Sequence, residues 1–291
     1  MLILPIGDVP NDPKRVAWMN YALIGMNFAV YLLALSKGVT GEGFSEERYA
    51  AFVLRWAYNP SDPTIQTLFS SLFMHAGIAH LAGNMLFLWI FGDNVEARLG
   101  AFGHLICYLC LGAIATIVFG LVTGPVDMPL IGASGAVSGV QGLYFIACPR
   151  HKVKVFLWLF IIIITVIQVN ARYLMVFWFF MQDVLPILIG TGPAGDNVAH
   201  SAHLGGFGAG LVLMLVIRWL YPGINDVEAR EFHHSRLYKG GHASKQLYQG
   251  GHASKPRYRP KSFVKLPPPR PRKPGAPPPA PPPLPPADVE P

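Results

Sequence analysis

A series of apolar runs, each close to the length needed to cross a lipid bilayer, constrains this chain more than any other feature. The runs are Val16–Leu35, Gly77–Phe91, Phe102–Val122, Ser134–Cys148, Tyr173–Ile189 and Val198–Leu220, and short charged segments separate most of them. At 1.5 Å rise per residue, about 20 residues of helix cross a ~30 Å hydrocarbon core. No water inside lipid can pair backbone N–H and C=O groups, so such runs must become helices. Composition agrees: 52% of the 291 residues are hydrophobic and 13% charged, which describes an all-α, polytopic membrane protein. The net charge of +7 does not imply a nucleic-acid partner, because the excess sits in short loops and in the C-terminal segment.

Val155–Val169 is apolar enough to be a further span, and loop charge decides against it. With the amino terminus cytoplasmic, marked by Lys14-Arg15, six spans put Arg98, Arg150, Lys152, Lys154, Arg172, Arg218 and the basic tail on the inner side. A seventh span would send Arg172 and the tail outside, against the positive-inside tendency. Val155–Val169 is therefore expected to lie at the interface or to re-enter, and both termini are expected in the cytoplasm of a multi-pass protein of the inner membrane.

Three regions follow: a cytoplasmic lead over residues 1–15, a six-helix domain over 16–222, and a basic tail over 223–291. The lead shows no cleavable targeting segment. The segment 36–67, with mixed charges, aromatics, Pro60 and Pro63, reads as a structured interfacial loop. Cys107, Cys110 and Cys148 fall within spans and read as small packing residues. In the tail, Leu237–Lys245 recurs almost unchanged as Leu247–Lys255, and a proline-dominated stretch follows from Lys265. That composition favours extended, disordered chain that could contact proteins or lipid headgroups.

Polar residues inside spans are costly and default to a functional reading. Under the six-span reading the second, fourth and sixth helices all run from outside to inside. Ser134 opens the fourth, His80 and Asn84 lie early in the second, and His200 and His203 lie early in the sixth, all at one depth below the outer face. His80 and Asn84 are four apart and share a helix face, as do His200 and His203, three apart. Gly135, Gly139 and Gly142 on the fourth span, with Gly206 and Gly210 on the sixth, permit close backbone approach. A serine hydroxyl needs an imidazole to take its proton, and the resulting oxyanion needs donors. His80, Asn84 and the Ser134 amide are suited to that donation; either His200 or His203 could be the base. No acid at suitable spacing stands out to orient the histidine, which suggests a two-member Ser-His arrangement.

The Gly132-Ala133-Ser134-Gly135 element, the His75…His80…Asn84 segment, Glu96-Ala97-Arg98 and Ala202-His203-Leu204-Gly205-Gly206-Phe207-Gly208-Ala209-Gly210 together resemble the rhomboid intramembrane serine proteases, over about residues 14–222. The resemblance implies a six-helix bundle in which Ser134 is the nucleophile, His203 the base, and His80 and Asn84 the oxyanion donors. It also implies structural roles for Glu96 and Arg98, cleavage of single-pass or polytopic membrane proteins near the membrane boundary, and no metal or other cofactor. Ser138 stands where some members carry a tyrosine against the histidine, and Arg55-Trp56 is reversed from their Trp-Arg.

Two rival readings are weighed against this one. A His-based metal transporter would use His80, His200 and His203, but the chain lacks His-Glu-x-x-His and a nearby acid on the same face. A catalytically inactive rhomboid-like module for membrane-protein binding or quality control would be expected to lose the serine or histidine, and both are present.

Overall fold

The computed structural model of the chain describes residues 2–11, 15–40, 45–159, 163–189 and 199–225. Lys14, the sixth-run start at Val198, the Phe160–Ile162 part of the ambiguous segment, and the duplicated and proline-rich tail lie outside the described residues.

The helices form where the apolar runs predicted them. α1 (Trp18–Ser36) is followed by two short helices, α2 (Glu46–Trp56) and α3 (Ile65–Ser70), in the expected interfacial loop. Ser45 caps α2 by accepting from the Arg48 N–H, and Thr64 and Thr67 form a reciprocal capping box on α3. α4 (Ile78–Thr123) is two helical arms that meet at a kink at Gly100, whose φ of 73° lies in the left-handed region that a side chain disfavours. Each arm of α4 is about 33 Å long at 1.5 Å per residue. α5 (Ser134–Ala147), α6 (Ala171–Phe179), α7 (Leu185–Leu188) and α8 (His200–Leu220) complete the set, with a π-helical turn, Phe180–Val184, joining α6 to α7. Four helical segments among the described residues are long and apolar enough to span a membrane: Trp18–Ser36, Ile78–Thr123, Ala171–Leu188 and His200–Leu220.

The purely helical expectation needs correction. β1 (Leu2–Val9), β2 (Lys152–Leu159) and β3 (Ile163–Asn170) form an antiparallel sheet in the order β1-β2-β3. The lead is thus a strand, and the described parts of the segment expected to lie at the interface or re-enter are two antiparallel strands, not a spanning helix. Valine and isoleucine dominate it, and β-branched side chains favour strands. Val153 and Val155 are buried while Lys152 is exposed, the two-residue alternation of a strand with one covered face.

α5 lies at the centre. Ala136, Val140, Leu143 and Tyr144 are completely buried, packed with Leu81, Leu88 and Phe91 of α4, Leu111 of its second arm and Met214 of α8. Large apolar side chains on the outer helices, such as Leu32, Leu121 and Trp219, are exposed. This is the arrangement expected of a bundle whose solvent is hydrocarbon. α5 and α8 touch backbone to backbone: a Cβ on Gly206 would fall on the Gly135 carbonyl oxygen, and one on Gly210 on that of Gly139.

Buried polar contacts tie the sheet to the C-terminal end of α5. Asp8 Oδ2 accepts from Tyr144 Oη at 2.6 Å, Asn94 Nδ2 at 2.9 Å and His151 Nδ1 at 3.3 Å. Arg98 donates to Asn94 O at 2.8 Å and Ala147 O at 3.3 Å, and Glu96 accepts from the Asn20 N–H at 2.7 Å and the Met19 N–H at 3.3 Å. Glu96 therefore satisfies first-turn donors of α1, and Arg98 a last-turn carbonyl of α5. Asn20 also bonds His104 Nε2 at 3.1 Å, which explains the buried imidazole in the second arm of α4.

Candidate functional site

Ser134 is the first residue of α5, at the end of the bundle opposite the sheet. The strand-like segment leading to it is held by a backbone pairing of Leu130 with Tyr58 and by the Gly132 N–H donating to Ser71 O at 2.9 Å. Gly132 has φ 125°, and a Cβ there would lie 2.9 Å from His80 Cε1, 3.0 Å from His80 Nε2 and 3.7 Å from Ser134 Oγ. The glycine thus serves two needs at once: a left-handed backbone and room for an imidazole beside the serine. Ala133 offers α5 no side-chain cap, and the first N–H groups of a helix have no intrahelical acceptor. Those donors surround Ser134.

His80 and Asn84 sit one turn apart at the start of α4, as their spacing predicted. His80 is exposed, whereas Asn84 is buried and donates from Nδ2 to His75 Nε2 at 3.0 Å. The His75 and His80 rings meet edge to face at 5.1 Å between centroids. Burial, reinforced by the neighbouring His80, pushes the pKa of His75 in the turn before α4 down to about 4. His75 is thereby a neutral acceptor that fixes the Asn84 amide, a role its sequence position at the head of the run did not reveal.

His203 lies in the first turn of α8, next to Ala202, whose carbonyl oxygen and Cβ face Gly135 at 3.8 and 3.9 Å from a Cβ built there. The same glycine contacts that join α5 to α8 bring the first turns of the two helices together. The two imidazoles His80 and His203 are near enough to interact electrostatically across the site. His203 Nδ1 donates to Asp183 Oδ1 at 2.7 Å, and His200 Nδ1 donates to the same oxygen at 3.2 Å. Asp183 and His200 are 3% and 4% exposed; the His203 side chain is 18% exposed. Asp183 lies in a different run from His203, so spacing along the sequence does not pair them, yet an acid inside an apolar run is itself a functional signal. The π turn that carries it is a second signal, visible only in the backbone.

Ser134, Gly132 and His80 are thus brought together, and Gly135 with Gly206 and Gly139 with Gly210 join the helices that carry Ser134 and His203. Glu96 and Arg98 lie at the far end, where they anchor α1 and α5. Among the described residues, no group of three or more His, Cys, Asp or Glu side chains is arranged to hold a metal ion.

Comparison with known proteins points the same way. The family model for the rhomboid domain matches residues 62–220. The chain is similar to the rhomboid protease GluP of Bacillus subtilis, 34% identical over 205 residues that cover 60% of this chain and 36% of that protein. It is also similar to the rhomboid protease GlpG of Klebsiella pneumoniae, 28% identical over 56% of this chain and 54% of that one. A third relative is the mitochondrial rhomboid protein 1 of Saccharomyces cerevisiae, 30% identical over 52% of this chain and 42% of that protein. The match thus spans about a third to a half of the length of these curated relatives.

Proposed function

Since this chain belongs to the rhomboid family, we propose that it is an intramembrane serine endopeptidase that hydrolyses transmembrane protein substrates at or near the membrane boundary. The observation that carries this reading is the junction at the head of α5. Ser134 stands beside His80 there, and the Gly135–Gly206 contact brings in the first turn of α8 with His203.

In this mechanism Ser134 Oγ attacks the scissile carbonyl carbon as its proton passes to His203 Nε2. The carbonyl oxygen becomes an oxyanion stabilised by His80, by Asn84 and by the N–H groups opening α5. Collapse of the tetrahedral intermediate breaks the C–N bond, and the leaving amine takes the proton from His203. A water then attacks the acyl-serine ester, His203 accepts its proton, and the second collapse releases the carboxyl product and restores the serine. His75 supports this chemistry by holding Asn84, while Gly132, Gly135, Gly139, Gly206 and Gly210 set the helix spacing. The exposed edge of His80 is a route for the hydrolytic water.

The bundle is read as six passes: α1, the two arms of α4 on either side of Gly100, the shorter α5 enclosed by its neighbours, the α6–α7 unit and α8. Both termini are then cytoplasmic, the active end of α5 faces the outer side, and the sheet lies on the inner side with the basic loops. The basic, proline-rich sequence of the 223–291 tail suits contacts with proteins or lipid headgroups. The test is cleavage of a membrane-anchored reporter by the full chain in liposomes. Turnover by the wild type and none by Ser134→Ala is the expected result. Equal turnover by the two would overturn the assignment.

A further inference from the structure

We propose that Asp183 is a positioning residue for His203, so that an acid on a third helix orients the base of the Ser-His pair and stabilises its charged form. The inference rests on the hydrolase reading above and adds a group that reading does not need. Three observations carry it. Asp183 is the one buried residue in the stretch Met181–Asp183, and it sits in the π turn Phe180–Val184 within an otherwise α-helical pass. The extra residue of a π turn rotates the chain that follows, a device that recurs at functional sites. Finally, Asp183 Oδ1 receives two imidazole N–H groups, from His203 at 2.7 Å and from His200 at 3.2 Å.

The proposal takes Asp183 as the acceptor of both hydrogen bonds. A carboxylate oxygen can only accept, and hydrogen bonds to it from ring N–H groups are the short, charge-assisted kind. Both imidazoles must then carry hydrogen on Nδ1. For His203 this leaves the Nε2 lone pair directed away from Asp183 and available for the Ser134 proton. When that proton arrives, the ring becomes an imidazolium whose charge lies beside a carboxylate instead of in an apolar interior. No proton transfers to Asp183; it holds the tautomer and stabilises the charged intermediate. His200 shares the oxygen and is itself buried, so it braces the carboxylate. Among the described residues, the other ionisable side chains at the site are His75, in the turn before α4, and His80 of α4, and neither contributes negative charge.

The test uses the full chain in lipid nanodiscs, with a fluorescent transmembrane reporter, a fluorophosphonate probe and 15N-labelled histidine. The wild type should show His203 as the Nδ1–H tautomer. Asp183→Asn, whose amide can donate to Nδ1 and so favour the other tautomer, should lower kcat by ~10²–10⁴-fold with KM little changed, and should slow Ser134 labelling in parallel. Asp183→Glu, which keeps the charge, should recover part of the loss. An Nε2–H tautomer of His203 in the wild type would overturn the proposal whether or not any variant folds. So would undiminished labelling of Asp183→Asn. Failure of the wild type itself to label at Ser134 would instead remove the hydrolase reading, and this inference with it.

Discussion

At the scale of single residues, the site divides into groups that react and groups that hold them. His80 and Asn84 face the oxyanion in the proposed mechanism, and removal of one such donor typically costs ~10²-fold or more in kcat. His80→Ala and Asn84→Ala should therefore each retain slow, measurable cleavage of a membrane reporter, with the loss in kcat. His75 does something different. Its pKa near 4 in the fold, against an unperturbed value of about 6.5, means that the unfolded chain takes up a proton first as the medium is acidified. The sign follows: His75 subtracts nothing above about pH 6.5, and its presence lowers stability progressively as pH falls from there towards 4. His75→Gln keeps an acceptor for Asn84 and removes that titration, so its thermal unfolding temperature should fall less steeply between pH 6.5 and 4 than that of the wild type. Parallel curves would contradict the account. The residues of the site were legible in the sequence because spacing puts His80 with Asn84 and glycines beside Ser134. The pairing of Asp183 with His203 was not, since pairing between runs leaves no trace in periodicity within one run, and His75 entered only as part of a motif, without its contact to Asn84.

At the scale of elements, the α5–α8 junction is where packing and chemistry coincide. Gly206 has no room for a side chain because the Gly135 carbonyl occupies the space, whereas Gly208 has open space around it. Overpacking a well-filled interior typically costs about 1–3 kcal/mol, and a collision with backbone leaves little to relax. Gly206→Leu should lose both folded yield and activity, while Gly208→Ala should keep both; thermal unfolding in detergent and reporter cleavage measure the difference. If Gly206→Leu folds and cleaves normally, the two helices do not meet as described. The hairpin β2–β3 shows where sequence reading failed at this scale. A run such as Phe156–Ile164 has the hydropathy of a span in either conformation, and loop charge excluded a crossing without saying what the segment becomes. Its β-branched content was the available signal for strands, and the pairing with β1 depends on a lead to which the sequence reading assigned no secondary structure.

At the scale of the whole molecule, the two ends of the bundle have separate tasks. One end holds Asp8, Tyr144, Asn94, His151 and Arg98 in a buried network that fastens the sheet and the C-terminal end of α5. The other end, where α4, α5 and α8 all begin, holds Ser134, His80 and His203. Charge topology and run length anticipated this common end, since helices that start at the same face must put their first turns at the same depth. In the proposed mechanism, the fastened end would fix the geometry of the serine and the end with glycines and exposed His80 would admit water. The most direct measurement is the site of covalent capture by a fluorophosphonate in the intact membrane-embedded chain, read by peptide mass spectrometry. The account predicts a single phosphonylated residue, Ser134, in the wild type and no adduct there in His203→Ala. An adduct on another serine, or undiminished capture at Ser134 without His203, would contradict it.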